Sequence, residues 1–229
     1  MNLNLKKQAA RQALAHVRDG MVLGLGTGST TAYFVDLLGE RLQKGTLRDI
    51  VGIPTSVGTE ERARALGIPL STLDEYPWLD LVVDGADEVD PDLNLIKGLG
   101  RALLREKIVE VHTRRLVIVV DESKLVPRLG RGPLPIEIVP FAAAAHVRWL
   151  NSLGCHAELW CEDDGSPIVT DNGNYLARCW FAEGIADPHT LARTLADRPG
   201  IVEHGLFLGM ASEVIVSSRQ GTRVLSRQP

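Results

Sequence analysis

Two near-continuous apolar runs, residues 79–83 and 116–120, most constrain what this chain can fold into. A strand that is apolar on both faces must be covered on both, so each run reads as an interior strand of a parallel sheet flanked by helices. The surrounding pattern agrees. Apolar strand segments at 21–25 and 49–53 join the two runs, and helical segments fit 3–17, 29–42, 59–66 and 101–112. The expected architecture is α/β, with a Rossmann-like, mostly parallel sheet.

After Lys124 the texture changes to a stretch punctuated by glycine and proline, Val-Pro-Arg-Leu-Gly-Arg-Gly-Pro-Leu-Pro, which reads as a connection between domains. Beyond it come a strand at 136–139, a helix at 142–153 closed by Gly154, and a strand at 155–161. Two strands flank the Asp171-Asn172-Gly173-Asn174 turn, Asp187-Pro188 opens a helix to about 195, and a last strand covers 201–208. The order βαββαβ predicts a smaller, ferredoxin-like α+β domain. Residues 211–216 then return to the large sheet. The expected domains are 1–130 plus 209–229, and 131–208.

A hydrophobic content of 45% with 24% charged residues places the chain among globular proteins. No apolar run approaches the roughly 18 residues of a membrane span. Residues 1–12 are polar and lack the apolar core of a secretory signal, so the expected location is cytoplasmic. The net charge of −4 argues against a nucleic-acid surface, and any anionic ligand must be held by a local site. Cys155, Cys161 and Cys179 form no Cys-x-x-Cys pair and read as buried thiols; His156 beside Cys155 lacks the further ligands zinc would need.

Three polar motifs follow apolar strands directly, where open α/β sheets bind ligands. In the first, Gly24 to Thr30, free N–H groups at a helix start and the Ser29 and Thr30 hydroxyls suit a phosphate, although a purely structural glycine turn explains the same letters. It is neither a dinucleotide fingerprint, because Ser29 stands where a glycine belongs, nor a Walker A loop. The second, Asp84-Gly85-Ala86-Asp87-Glu88-Val89-Asp90, suits acid/base work on hydroxyls, a metal, or helix capping; a nearby Lys97 weakens the metal reading. The third, Asp121-Glu122-Ser123-Lys124, offers a lysine for substrate or for a surface pair. Beyond these, Lys97, Gly98 and Gly100 precede a helix on which Glu106 shares a face with Ala102 and Val109. Such a flank desolvates a carboxylate and makes it a better base near neutrality; a surface glutamate with apolar neighbours is the alternative.

Gly-Thr-Gly-Ser-Thr at 26–30, Asp-Gly-Ala-Asp-Glu at 84–88, Lys-Gly at 97–98 and Arg-Glu-Lys-Ile-Val at 105–109 occur in order, followed by Leu-Pro-Ile-Glu at 134–137 and Thr-Asp-Asn-Gly-Asn at 170–174. With these motifs the chain resembles the type A ribose-5-phosphate isomerases over nearly its whole length. The resemblance implies metal-free, cofactor-free interconversion of D-ribose 5-phosphate and D-ribulose 5-phosphate through an enediolate, within the non-oxidative pentose phosphate pathway. It implies Glu106 as base, Lys97 stabilising charge on substrate oxygen, and Asp84 and Asp87 in ring opening and hydroxyl positioning. Substrate contacts would come from Thr27, Gly28, Ser29, Thr30, Gly85, Ala86, Gly98, Leu99, Gly100, Lys124 and Lys6. The implied partners are a small sugar phosphate and a second copy of the chain, as a homodimer or dimer of dimers, with no nucleic acid or membrane. One departure stands out: Leu99 occupies a place that is usually glycine, and Arg101 and Leu104 replace a small residue and a threonine. Leucine strains at positive φ, so the backbone contribution of Leu99 to binding is the open point. Rival readings are a non-catalytic sugar-phosphate-sensing domain, an amino-sugar-phosphate deaminase and a coenzyme A transferase. Each lacks its distinguishing segment in the sequence.

Overall fold

A computed structural model describes residues 3–227; Met1, Asn2, Gln228 and Pro229 lie outside the described residues. In chain order the elements begin with α1 Leu3–Leu14, β1 Val22–Leu25, α2 Thr31–Gln43, β2 Val51–Pro54, α3 Val57–Ala65 and β3 Leu81–Asp84. Then come β4 Glu88–Val89, β5 Leu95–Ile96, α4 Leu103–Val111, β6 Leu116–Asp121, a 3-10 turn Glu122–Lys124, β7 Leu134–Ile138 and α5 Ala143–Asn151. The chain ends with β8 His156–Leu159, β9 Tyr175–Trp180, α6 Pro188–Ala196, β10 Ile201–His204, β11 Leu206–Phe207, β12 Glu213–Ser218 and β13 Gly221–Ser226. No helix among the described residues is long and apolar enough to cross a membrane.

Of the described residues, the first compact unit comprises 3–86, 105–124 and 209–227. Its six-stranded sheet runs β13-β12-β6-β3-β1-β2, parallel from β12 to β2. Every residue of β3 and β6 is buried, which is why those segments read as near-continuous apolar runs, although β3 begins at Leu81, two residues after the expected start. Ala9, Ala10 and Ala13 of α1 and Phe34 and Leu38 of α2 pack in one core with Leu23, Leu81 and Val117. The antiparallel edge strand β13 has no sequence signal, because it is largely exposed and carries no apolar alternation.

The second unit comprises residues 87–104 and 125–208. Its four-stranded antiparallel sheet has the order β10-β7-β9-β8, the ferredoxin-like arrangement expected from βαββαβ. Three details differ from the sequence reading. Residues 87–104 and 125–130 group here rather than with the large sheet, the former because β4 and β5 hydrogen-bond into a three-stranded sheet with β11, the latter because Val126 N donates to Val89 O and Gly130 N to Glu88. The strand expected at 201–208 is two strands, β10 in the four-stranded sheet and β11 in the three-stranded one, with the change at Gly205. Ahead of the 171–174 turn there is no full strand, only the isolated bridges of Cys161 with Pro167 and Val169 with Tyr175.

The cysteines are free, with Cys155 and Cys179 buried. A hydrogen bond with Cys155, reinforced by burial, pushes the Cys179 thiol far above its ordinary range, so it stays protonated and unreactive.

The Leu-Pro-Ile-Glu and Thr-Asp-Asn-Gly-Asn motifs meet in this unit. Glu137 on β7 is 0% exposed, and its Oε1 accepts hydrogen bonds from Thr170 Oγ1 (3.0 Å), Asn172 Nδ2 (3.2 Å) and Asn174 Nδ2 (2.9 Å). Removing the carboxylate leaves a cavity and strands the buried Thr170 hydroxyl, whereas Asn172 is exposed and Asn174 half-buried. Glu137→Ala is therefore expected to destabilise the fold by about 3 kcal/mol, read as a lower midpoint in urea unfolding followed by circular dichroism.

Candidate active site

Because β1, β3 and β6 are parallel neighbours, the segments after them leave the first unit's sheet at the same edge. After β1, Gly26 turns into an exposed Gly28 at φ 114°, and the chain enters α2. The helix starts at Thr31, so Ser29 and Thr30 precede its first turn rather than lie within it. Lys6 on α1 reaches this turn, its Nζ donating to Ser29 Oγ at 2.5 Å. The positive end of α2 and the Lys6 ammonium thus sit at one hydroxyl-bearing loop, an arrangement that favours an anion.

Asp84 ends β3 and is 0% exposed. Its Oδ1 accepts the Thr27 N–H (3.1 Å) and the Gly85 N–H (2.6 Å), and Thr31 Oγ1 lies 3.4 Å away. The first and second motifs are therefore bound to each other through one buried carboxylate. A Cβ at Gly26 would run into the Asp84 carboxylate and come within 2.6 Å of Val83 O, so only glycine lets the two loops approach this closely.

Sequence reasoning missed a set of hydroxyls beneath the loop. Thr27 Oγ1 lies 2.8 Å from both Thr55 Oγ1 and Ser56 Oγ, while Thr59 Oγ1 donates to Gly26 O (3.0 Å) and Thr55 Oγ1 to Leu25 O (3.0 Å). Ser56 also caps α3 by accepting the Thr59 N–H, which starts that helix at Val57, two residues before the expected position. The signal was Thr-Ser-x-x-Thr directly after a strand.

The acidic cluster does not act as a unit. Asp87 falls in the second unit, where its N–H donates to Ile96 O (2.8 Å) and its Oδ2 accepts the Leu99 N–H (2.9 Å). The Glu88 carboxylate binds the backbone of the 130–132 linker, accepting from Gly130 N (2.7 Å) and Gly132 N (2.5 Å). Asp90 folds its own loop, accepting from Asp92 N and from Asn94 N and Nδ2. Among the described residues, no group of three or more His, Cys, Asp and Glu side chains has a metal-holding arrangement.

Lys97 follows β5 and is 2% exposed, with its ammonium 5.3 Å from the centroid of the Phe207 ring. Its N–H donates to Gly205 O at 2.9 Å, and a Cβ at Gly205 would collide with Lys97 O. Gly98 has φ 109° and its absent Cβ makes room for Leu103. Leu99 does not have positive φ and its N–H is taken by Asp87, so the concern over leucine strain falls away. The strained position is Arg101, at φ 68°. That left-handed residue is why α4 starts at Leu103 and not at 101, and why Ala102 lies outside the helix. Glu106 is in the first turn of α4 and 3% exposed, at the end of the helix that stabilises negative charge. Lys124 closes the 3-10 turn after β6, half-buried, while the preceding Asp121 accepts from Ser123 N (2.9 Å) and Ser123 Oγ.

Residues 51–221 match the model of the family described as ribose 5-phosphate isomerase A (phosphoriboisomerase A). The chain belongs to the ribose 5-phosphate isomerase A family. A relative named ribose-5-phosphate isomerase A from Chloroflexus aurantiacus is 52% identical over 219 residues, covering 95% of this chain and 91% of that protein. Another of that name, from Bradyrhizobium diazoefficiens, is 47% identical over 100% of this chain and 98% of its own length. A solved structure of D-ribose-5-phosphate isomerase in complex with phospho-erythronic acid superposes with a TM-score of 0.96 at 46% identity, over 99% of this chain and 100% of that one.

Gly26 and Gly205 are backbone positions that hold Asp84 and Lys97 respectively. Gly26→Ala and Gly205→Ala are each expected to cost roughly 1–3 kcal/mol from overpacking, measured as a fall in the calorimetric melting temperature. Gly58→Ala, where φ is not positive and nothing crowds an added Cβ, is the control and is expected to show no such fall.

Proposed function

We propose that the protein is an aldose-ketose isomerase interconverting D-ribose 5-phosphate and D-ribulose 5-phosphate. The observation that carries this reading is likeness over essentially the whole chain to proteins of that name, at 46–52% identity. The residue chemistry supports it independently. Glu106, buried at the start of α4, takes the proton from C2 of the open-chain aldose to give an enediolate, then returns it to C1. The hydroxyl proton moves from O2 to O1, which leaves the ketone at C2. Lys97 stabilises the negative charge that develops on substrate oxygen, and a buried ammonium is worth more there than one in water. Asp84 and Asp87 serve ring opening and hold hydroxyls. Ser29, Thr30, Lys6 and the N-terminus of α2 take the phosphate, with Thr27, Gly28, Gly85, Ala86, Gly98, Gly100 and Lys124 as further contacts. Leu99 contributes through the backbone bond that fixes Asp87.

We propose a homodimer, or a dimer of such dimers, as the working form; Trp78, Ile108 and Val111 of the first unit are exposed apolar side chains that an interface would cover. Sedimentation as a monomer at micromolar concentration would overturn that assignment.

The activity is tested with purified protein and ribose 5-phosphate, following ribulose 5-phosphate formation. Turnover is expected to persist in excess chelator, because side chains supply both the proton transfer and the charge stabilisation. Glu106→Gln is expected to lower kcat by about 10²–10⁴-fold while substrate binding, measured by calorimetry, is retained. Full turnover in that variant would remove Glu106 as the base, and loss of wild-type activity on chelation would reinstate a metal.

A further inference from the structure

Arg101 stands where the resemblance expects a small residue, yet its backbone is left-handed at φ 68°. A non-glycine residue holds that conformation at a cost unless its surroundings over-determine it. Here the side chain is pinned. Nη1 and Nη2 of Arg101 donate to Oε1 (2.5 Å) and Oε2 (3.2 Å) of Glu162, and the guanidinium carbon lies 5.4 Å from the centroid of the Trp160 ring. The adjoining backbone is tied to the same place. Arg101 N donates to Gly98 O at 2.9 Å, Gly98 is packed against Leu103, and Leu103 sits in a small apolar cluster with Trp160, Ile168 and Leu176. The turn between Lys97 and the start of α4 is thus fastened to residues 160–162 by a bidentate ion pair, an aromatic face and an apolar plug.

Because the two ion-pair side chains are 43% and 48% exposed, the pair adds little to global stability. Its consequence is geometric. We propose that Arg101, clamped by Glu162 and Trp160, is a positioning residue that sets the 97–101 turn and through it the placement of Lys97. Where a glycine would merely permit the left-handed backbone among other conformations, the clamp makes it the single available state. The inference rests on Lys97 acting on substrate, as proposed above.

The test compares Glu162→Gln and Arg101→Gly with wild type in steady-state kinetics, thermal melting and amide hydrogen exchange of the peptide spanning 97–104. Arg101→Gly keeps the left-handed backbone without strain and removes only the clamp. The expected result in both variants is a fall in kcat of about ten-fold, within the ~100-fold that an ångström of misplacement can cost, with KM changed much less. Melting temperatures stay at the wild-type value and exchange of 97–104 accelerates. The double variant Arg101→Glu with Glu162→Arg recovers part of the lost kcat. Wild-type kcat in both single variants overturns the proposal, as does a loss of kcat that tracks a loss of melting temperature. Glu106→Gln run alongside separates the two readings. If wild type turns over, Glu106→Gln does not and Glu162→Gln is unimpaired, only the clamp is wrong. If wild type has no isomerase activity, the functional reading fails, and unchanged exchange of 97–104 in Glu162→Gln would then sink the clamp separately.

Discussion

Asp84 must be buried to end an interior strand, and a buried carboxylate is tolerable only when hydrogen-bonded. Its Oδ1 therefore collects the N–H groups of Thr27 and Gly85, and this one acceptor joins the loop after β1 to the loop after β3. The rest of the first unit's rim is arranged around that contact. Gly26 lacks a Cβ so that the loops can approach, Thr59 holds Gly26 from below, and Ser56 both caps α3 and supports Thr27. The stiffness is bought from hydroxyls and backbone, which leaves Ser29 and Lys6 at the exposed side to meet an anion.

The second unit solves a different problem, how to hold a lysine in a nearly dry setting. Two-residue strands β4 and β5 are too short to be stable alone. They persist because β11 pairs with β5, Glu88 ties β4 to the 130–132 linker, and Gly205 grips the Lys97 backbone from the strand change between β10 and β11. Asp87 then closes the loop onto Leu99. Residues far apart in sequence thus fix a lysine that is followed by two glycines, Gly98 and Gly100, which have no side chain of their own to anchor the turn.

Legibility followed burial pattern. Residues 81–83 and 116–120 are buried on both faces in β3 and β6, and their letters announce it; the ferredoxin-like order was equally plain because each helix lies between apolar strands. The edge strand β13 and the short strands β4, β5 and β11 were not legible, since an exposed strand has no apolar alternation and two residues carry no period. At the site, the glycine turn, Asp84, Lys97 and Glu106 stood out by chemistry and place. Thr55, Ser56, Thr59 and Gly205 did not, because small polar residues and glycine after strands are common in ordinary turns. The acidic stretch misled by proximity: Glu88 and Asp90 are consecutive with the site but spend their oxygens on backbone elsewhere.

The sequence by itself determined the α/β class, the order of the longer buried strands and of the helices, the family, and the residue types available for proton transfer and anion binding. Those follow from hydrophobic period and from motifs local in the chain. Tertiary structure alone decided which polar groups meet: Lys6 with Ser29, Asp84 with Thr27, Gly205 with Lys97, Arg101 with Glu162. It also moved the strained backbone from Leu99 to Arg101. The physical reason is that a hydrogen bond or a left-handed φ depends on atoms brought together by packing across 20 to 110 residues, and no local pattern of letters encodes that distance.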